Sequence, residues 1–152
     1  MLFRSLIFIG FIYTLSADAQ LESGTWYQIK VTASGIYKVD GAQLKSWGIS
    51  LNGLNSNSLR LFGNGGGMLP EANYVSVAEG LIENNIQVID GGDGIFNEND
   101  YLLFYGEGPD RWQYDEAGNT FRHQRNLYAR STFYYLSVDG SGKRRSEEHT
   151  SE

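Results

Sequence analysis

The apolar stretches of this chain are short, and the two most distinctive ones run directly into glycine-bearing turns. Residues 60–71 read R-L-F-G-N-G-G-G-M-L-P-E, and residues 101–112 read Y-L-L-F-Y-G-E-G-P-D-R-W. A helix in a globular domain usually shows 8–20 residues of continuous 3.6-residue periodicity, and the sequence sustains no such pattern. Apolar runs of strand length that stop at glycine are typical of β structure with tight turns. The chain is therefore predicted to be mainly β.

Alternation of apolar and polar residues locates the individual strands. In Trp26–Val31, every second residue from Tyr27 onwards is apolar, which is the pattern of a half-buried strand. Residues 36–39 are predicted to be its hairpin partner, across a turn at residues 33–35. The other predicted strands are Leu59–Phe62 and residues 75–77, 86–89, 101–105 and 133–138.

Residues 101–105 are apolar at every position, so the sequence predicts a central strand that is buried on both faces. Residues 106–117 are predicted to be a loop. One helix is expected at residues 41–47, with Asp40 as its N-cap, Gln43 at the capping-box position and Gly48 as its stop. The predicted fold is thus an antiparallel sheet or sandwich with one short helix near residues 41–47.

Both ends of the chain are predicted to lie outside this domain. Residues 1–19 have the features of a secretory signal peptide, with Arg4, a short apolar run and Ala17-Asp18-Ala19 before the cleavage point. Residues 145–152, R-S-E-E-H-T-S-E, resemble the in-frame translation of a common DNA sequencing adapter. We therefore expect an artefactual tail there and a longer native protein. One β-domain, residues 20–144, remains between the two ends.

Composition limits the chemistry of this domain. The chain contains no cysteine, which excludes a disulfide framework and a cysteine-linked lipid anchor. Its formal net charge of −6 gives no reason to expect nucleic acid as a partner. An exported domain without disulfides must be stabilised by its core or by a metal ion.

The loop at residues 90–100, D-G-G-D-G-I-F-N-E-N-D, is the candidate metal site. Calcium takes six to eight oxygen ligands and is often bound by loops in which glycine allows a sharp bend. The second half of this loop is similar to an EF-hand loop, whereas the first half is out of register. The ligand candidates are Asp90, Asp93, Asn97, Asn99 and Asp100. The alternative is an acidic surface loop in which Asp and Asn side chains cap turns. No other cofactor is predicted.

Three further features have structural interpretations. The turn at residues 63–67 lacks the Lys and Ser/Thr that a phosphate-binding loop needs, so a structural turn is predicted. His123 has no Cys or G-x-S-x-G serine to activate and is predicted to be structural. Trp112 and Tyr114 are predicted to pack at the rim of the core, with a sugar-stacking platform as the alternative.

The order and spacing of these segments resemble the N-terminal region of the type IX secretion sortase (PorU) family, which are gingipain-like cysteine peptidases. The likeness covers most of residues 26–138. It includes W-Y-Q-I-K-V, G-I-Y-K-V-D, the two glycine-turn segments, D-G-I-F-N-E-N-D, W-Q-Y-D and F-R-H-Q-R-N-L-Y. The resemblance implies an N-terminal β-domain that precedes the catalytic part and packs beside it.

The resemblance also implies a role for the parent protein. Enzymes of this family remove the C-terminal sorting signal of type IX secretion cargo and transfer the cargo to a lipopolysaccharide anchor. Their nucleophilic Cys and partner His lie in a later domain, so no catalytic residue is assigned here. The implied partners are the catalytic domain of the same chain, outer-membrane type IX components and cargo proteins. The implied location runs from the periplasm to the outer-membrane cell surface.

A second function remains open: a free-standing secreted binding module, stabilised by calcium and directed at a carbohydrate or a surface. The gene beyond the codon for Arg144 discriminates between the two. An in-frame continuation with a catalytic His and Cys indicates the peptidase, and a stop codon indicates the module.

Overall fold

The structure is a computed structural model that describes residues 24–70 and 80–145. The strands are β1 (Trp26–Val31), β2 (Gly35–Asp40), β3 (Leu59–Phe62), β4 (Glu83–Asn84), β5 (Gln87–Ile89), β6 (Tyr101–Gly106), β7 (Arg111–Asp115), β8 (Thr120–Gln124) and β9 (Thr132–Val138). A helix, α1, spans Gly41–Ser46, and a 3-10 turn covers Ser56–Ser58. Within these ranges, no helix is long and apolar enough to cross a membrane.

The strands form three antiparallel sheets. Sheet one has the order β1-β9-β3-β4, sheet two has the order β2-β6-β5, and β7 and β8 form a separate hairpin. The predicted fold class, mainly β and antiparallel with one short helix, is confirmed.

Sheets one and two share one hydrophobic core between their inner faces. Sheet one contributes Val31 and Leu136, and sheet two contributes Leu102, all with no exposed surface. The ring centroids of Phe104 in sheet two and Tyr134 in sheet one are 5.4 Å apart. This contact joins the two layers, so the arrangement is that of a small sandwich.

The predicted hairpin between the first two strands is wrong. β1 pairs with β9 and β2 pairs with β6, so the chain passes from one sheet to the other at residues 32–34. The backbone of Gly108 fills the inside of this corner, and its N–H donates to Ser34 Oγ at 3.0 Å. Two adjacent strand patterns with a short connection are compatible with a hairpin or with a corner, and the partner strands decide which one forms.

Helix α1 follows its prediction closely. Asp40 has extended backbone angles, and its side chain accepts a hydrogen bond from Gln43 N at 2.9 Å, as an N-cap does. The helix buries Leu44 completely, and the Trp47 ring stacks on Tyr27 of β1 with 6.1 Å between centroids. Gly48 ends the helix with a φ of 89°, a conformation that favours glycine.

Strand β6 is central in its sheet, as predicted, but only one of its faces is buried. Leu102 and Phe104 face the core, whereas Tyr105 on the opposite face is 56% exposed. The strands predicted at Leu59–Phe62, 86–89 and 133–138 correspond to β3, β5 and β9. The strand predicted at residues 75–77 lies outside the described residues.

The short strand β4 is held to sheet one by an ion pair. Arg60 of β3 donates to both carboxylate oxygens of Glu83, at 3.3 and 3.0 Å. The hydrogen bonds from Arg60 hold the pKa of Glu83 below its ordinary value, against the opposing effect of burial. Because this geometry is bidentate and partly buried, it fixes the side chains more firmly than an exposed pair does.

The prediction of a loop at residues 106–117 is also wrong. Strand β7 begins at Arg111 and pairs with β8 in a regular five-residue register. Asn119 closes the connecting turn in the left-handed region with a φ of 46°. Nearly every side chain of this hairpin is exposed. Its strands therefore lack the buried, apolar face by which strands are usually recognised in a sequence.

Candidate functional site: a glycine junction that carries an exposed aromatic hairpin

In the predicted metal loop, the carboxylates cap turns. Asp90 Oδ1 accepts from Gly92 N at 3.0 Å, and Asp93 Oδ1 accepts from Ile95 N at 2.9 Å. The Asp100 carboxylate accepts from the backbone N–H of Asn97 at 2.5 Å. These bonds are the ones that the acidic-loop alternative requires.

Among the described residues, the side chains of the two predicted asparagine ligands make no hydrogen bond to the side chains of the predicted aspartate ligands. Asn97 donates its side-chain amide to Ile95 O at 3.2 Å, and Asn99 is exposed. Across residues 24–70 and 80–145, no group of three His, Cys, Asp or Glu side chains is placed to hold a metal ion. Calcium binding by Asp90, Asp93, Asn97, Asn99 and Asp100 stays a prediction.

Ser56 lies beside this loop. The Ser56 hydroxyl, followed by the Gly92 N–H, lowers the pKa of Asp90. Ser56 Oγ is buried, and no described residue gives it a hydrogen bond of normal geometry. The Asp90 carboxylate is thus stabilised in its charged form by groups of the protein itself.

The loop is fastened to the core through Phe96. Its side chain has no exposed surface, and its N–H donates to Leu54 O at 2.7 Å. Ser56 N donates to Gly94 O at 3.0 Å, and Asn55 forms an isolated bridge with Ile95. The core side chain and these backbone bonds therefore set the position of the loop.

Calcium is expected to stabilise the chain if the loop is a binding site. A ligand that binds only the native state adds about 2.7 kcal/mol at a hundredfold excess over Kd. Thermal melts with calcium and with a chelator should then differ by several degrees. Asp93→Ala and Asp100→Ala should each abolish that difference. Identical melts of the unsubstituted chain in both conditions would leave only the turn-capping role.

The two glycine-bearing motifs meet in space. Gly66 N donates to Glu107 Oε2 at 3.0 Å, and a Cβ on Gly66 would overlap the carbonyl oxygen of Gly108. Arg111 donates through Nη2 to Gly66 O, and Asn126 donates through Nδ2 to Gly67 O at 3.1 Å. We call this set of contacts the glycine junction. The Glu107 carboxylate already accepts the hydrogen bond of the Gly66 N–H, a backbone donor that a bound phosphate would need. This contact agrees with the predicted structural turn.

The glycine junction rests on the ring of Tyr134. The ring lies directly under Gly63, where a side chain would overlap it, and Tyr134 Oη accepts from Glu107 N at 2.9 Å. Burial raises the pKa of Tyr134. Thr132 Oγ1 donates to Glu107 O at 2.5 Å from the same strand. The end of β6 is thereby fixed on sheet one immediately before the chain enters the β7–β8 hairpin.

The hairpin presents an aromatic face to solvent. Trp112 pairs with His123 and Tyr114 pairs with Phe121, with ring centroids 5.0 and 5.2 Å apart. Trp112 is 69% exposed and Phe121 is 65% exposed. The two pairs are tilted by 54° and 57°, so their rings do not form a flat platform. The predicted packing of Trp112 and Tyr114 over the core is therefore wrong, and sugar stacking stays an untested alternative.

His123 has structural contacts on this face. Its ring packs on Trp112, and its Nε2 lies 4.0 Å from an Asp110 carboxylate oxygen. Asp110 also accepts from Asn126 N at 2.8 Å, which ties the loop between β8 and β9 back to the base of the hairpin. Arg122 pairs with Asp115 at 2.6 Å on the opposite face. Sequence reasoning missed the hairpin as a unit, although the alternation in R-W-Q-Y-D and T-F-R-H-Q is visible once pairing is considered.

No protein-family model and no curated protein matches this sequence. The fold is similar to part of PorU. The solved structure in question is dimeric latent PorU from Porphyromonas gingivalis, at 30% sequence identity and a TM-score of 0.57. The alignment covers 82% of this chain and 10% of the PorU chain, so this chain spans about a tenth of that protein. The predicted resemblance is thus supported as a structural similarity to a region of PorU.

Proposed function

We propose that residues 20–144 are a non-catalytic N-terminal domain of a PorU-like cysteine peptidase at the cell surface. One observation carries the proposal: at 30% identity, 82% of this chain superposes on a segment that makes up only 10% of PorU. A match of that shape is expected for one domain of a multidomain protein. The parent protein would remove the C-terminal sorting signal of type IX secretion cargo and transfer the cargo to a lipopolysaccharide anchor.

The residues of this chain assign it a supporting role in that reaction. It has no cysteine, so the thiolate must come from another part of the parent protein. His123 contacts Trp112 and Asp110, neither of which is a nucleophile that it could activate. What the domain offers instead is surface: the aromatic face of the hairpin and the outer face of sheet two. Its proposed partners are the catalytic domain of the same chain, outer-membrane type IX components and cargo.

A free-standing secreted binding module is the second candidate, and the exposed rings of the hairpin favour it. Trp112, Tyr114 and Phe121 are each at least half exposed, which is unusual for large aromatic side chains on a two-stranded hairpin. Such a module would bind a carbohydrate or a surface without any catalytic partner. A stop codon soon after the codon for Arg144 in the gene would support this candidate.

Two versions of the protein test the proposed function. Purified residues 20–144 should not cleave a peptide that carries a type IX sorting signal, because they contain no thiol. The full-length parent protein with this segment deleted should fail to process cargo, because the surfaces that the domain covers would be exposed.

Cleavage by the isolated segment would contradict the assignment of a non-catalytic domain. Normal processing by the deletion variant would show that the domain is dispensable to the enzyme, which would favour the independent binding module.

A further inference from the structure

The last described residues of the chain run beside the residue that precedes β5. Ile86 N donates to Lys143 O at 3.3 Å, and the N–H of residue 145 donates to Ile86 O at 3.0 Å. Ile86 and Arg144 form a bridge of parallel sense. One residue that bonds to the neighbours on either side of its partner is the repeating unit of a parallel ladder. Only backbone groups make these bonds, so they do not depend on the side chain at position 145.

This bridge lies at the edge of sheet two. The sheet order β2-β6-β5 leaves one side of β5 without a named strand among the described residues. The N–H and C=O of alternate residues in a strand point to the same side. Since Ile86 directs its backbone groups towards residues 143 and 145, Val88 directs its own groups to the same open side. A strand that continued beyond residue 145 would meet them in register.

The path of the chain up to this point is held firmly. Arg144 donates to Ser56 O at 2.6 Å and to Leu59 O at 3.1 Å, and burial lowers the pKa of its guanidinium. Lys143 N donates to Glu83 Oε1 at 2.9 Å. Any chain that follows must therefore leave the domain beside β5.

The outer face of sheet two carries a cluster of apolar side chains next to that exit, and Lys38 lies on the same face with its ammonium over the Tyr101 ring. Ile36 and Tyr105 are opposite each other in the β2–β6 register and are 66% and 56% exposed. Leu103 lies on the same face, and the groove that these three side chains help to form is also lined by Asn85, Gln87 and residue 145. We call this groove the outer groove. A sheet face of this kind, beside an open edge, is a surface that native proteins usually cover.

We propose that the polypeptide after residue 145 in the intact protein pairs with β5 as a parallel strand, and that the domain it leads into covers the outer groove. This inference rests on the proposed function, which supplies a longer chain. The occupant is the next part of the same polypeptide, because the chain leaves beside the groove and is already in parallel register at Ile86. The open edge supplies the hydrogen bonds, and the groove supplies the apolar area.

Hydrogen exchange in the full-length parent protein tests the strand. The Val88 amide should exchange roughly a hundredfold more slowly than an unpaired edge amide, as an amide within a ladder does. An exchange rate close to that of an unpaired amide would overturn the proposal.

Substitutions on the outer groove test the covering domain. Ile36→Asp and Tyr105→Asp in the parent protein should each raise the rate of limited proteolysis just after residue 145 by about tenfold, because an aspartate would be buried against the next domain. Phe133→Asp is the matched control, since Phe133 is 42% exposed on sheet one, and its proteolysis rate should not change. Equal rates for all three variants would overturn the proposal.

These outcomes separate the inference from the proposed function. A gene that stops after the codon for Arg144 would overturn both. A gene that continues into a cysteine peptidase, in a protein whose Val88 amide exchanges freely, would overturn the strand addition alone.

Discussion

Replacing Phe96 with alanine is expected to lower the free energy of unfolding by about 3–5 kcal/mol, the usual cost of truncating a fully buried aromatic side chain. Phe96 has no exposed surface and belongs to the shared core, although it lies in the acidic loop between β5 and β6. Its removal leaves a cavity and also frees the backbone that bonds to Leu54. Chemical denaturation of the purified chain measures the effect.

Ile95→Ala is the matched control for this prediction. Ile95 is adjacent in the same loop but is 43% exposed, and its bridge to Asn55 uses backbone groups that alanine keeps. Truncating the Ile95 side chain should lower the free energy of unfolding by less than about 1.5 kcal/mol. If both variants were destabilised equally, the loop would not be anchored by Phe96. If Phe96→Ala were mild only in the presence of calcium, an ion would be holding the loop in place of the core.

Replacing Gly66 with alanine is expected to destabilise the protein by about 3 kcal/mol, at the upper end of the range for overpacking. The added Cβ would overlap Gly108 O, which is a backbone atom that no rotamer change can move away. Relief of the overlap requires the two glycine-bearing turns to separate, which also breaks the bonds of Gly66 to Glu107 and Arg111. The melting temperature should therefore fall by roughly 6 °C or more.

Gly35→Ala is the control for the loss of a glycine as such. Gly35 has an ordinary negative φ, and a Cβ on it would meet nothing within 4 Å. The substitution should be nearly neutral, because the added Cβ disturbs no neighbour and alanine loses less backbone entropy on folding than glycine does. A Gly66→Ala variant as stable as Gly35→Ala would show that the two motifs do not touch as described.

Local patterns were sufficient wherever a segment carries its own periodicity or cap. The alternation in Trp26–Val31 predicts β1 and its buried face, and the Asp40 cap with Gly48 predicts the limits of α1. The same holds for β3, whose bounds at Leu59–Phe62 match the prediction. In each case, the signal lies within a few residues and reflects burial or capping that the segment itself determines.

Exposure explains the largest error of local reasoning. The hairpin of β7 and β8 has side chains that alternate correctly, but its aromatic face points to solvent. Without a buried face, the alternation carries no hydrophobic contrast, and the glycines nearby indicate a loop. Pairing between Trp112 and His123 and between Tyr114 and Phe121 gives the hairpin its regular register.

The sequence by itself determined the class of this fold, its short helix, its strand-ending turns and the likeness to a region of PorU. Only the tertiary structure decided that β1 pairs with β9 and β2 with β6, because strand partners far apart in the chain leave no mark on local periodicity. Only the tertiary structure also decided that Gly66 lies against Gly108. A glycine in a sequence permits a close approach, but the element that makes the approach is selected by packing across the whole core.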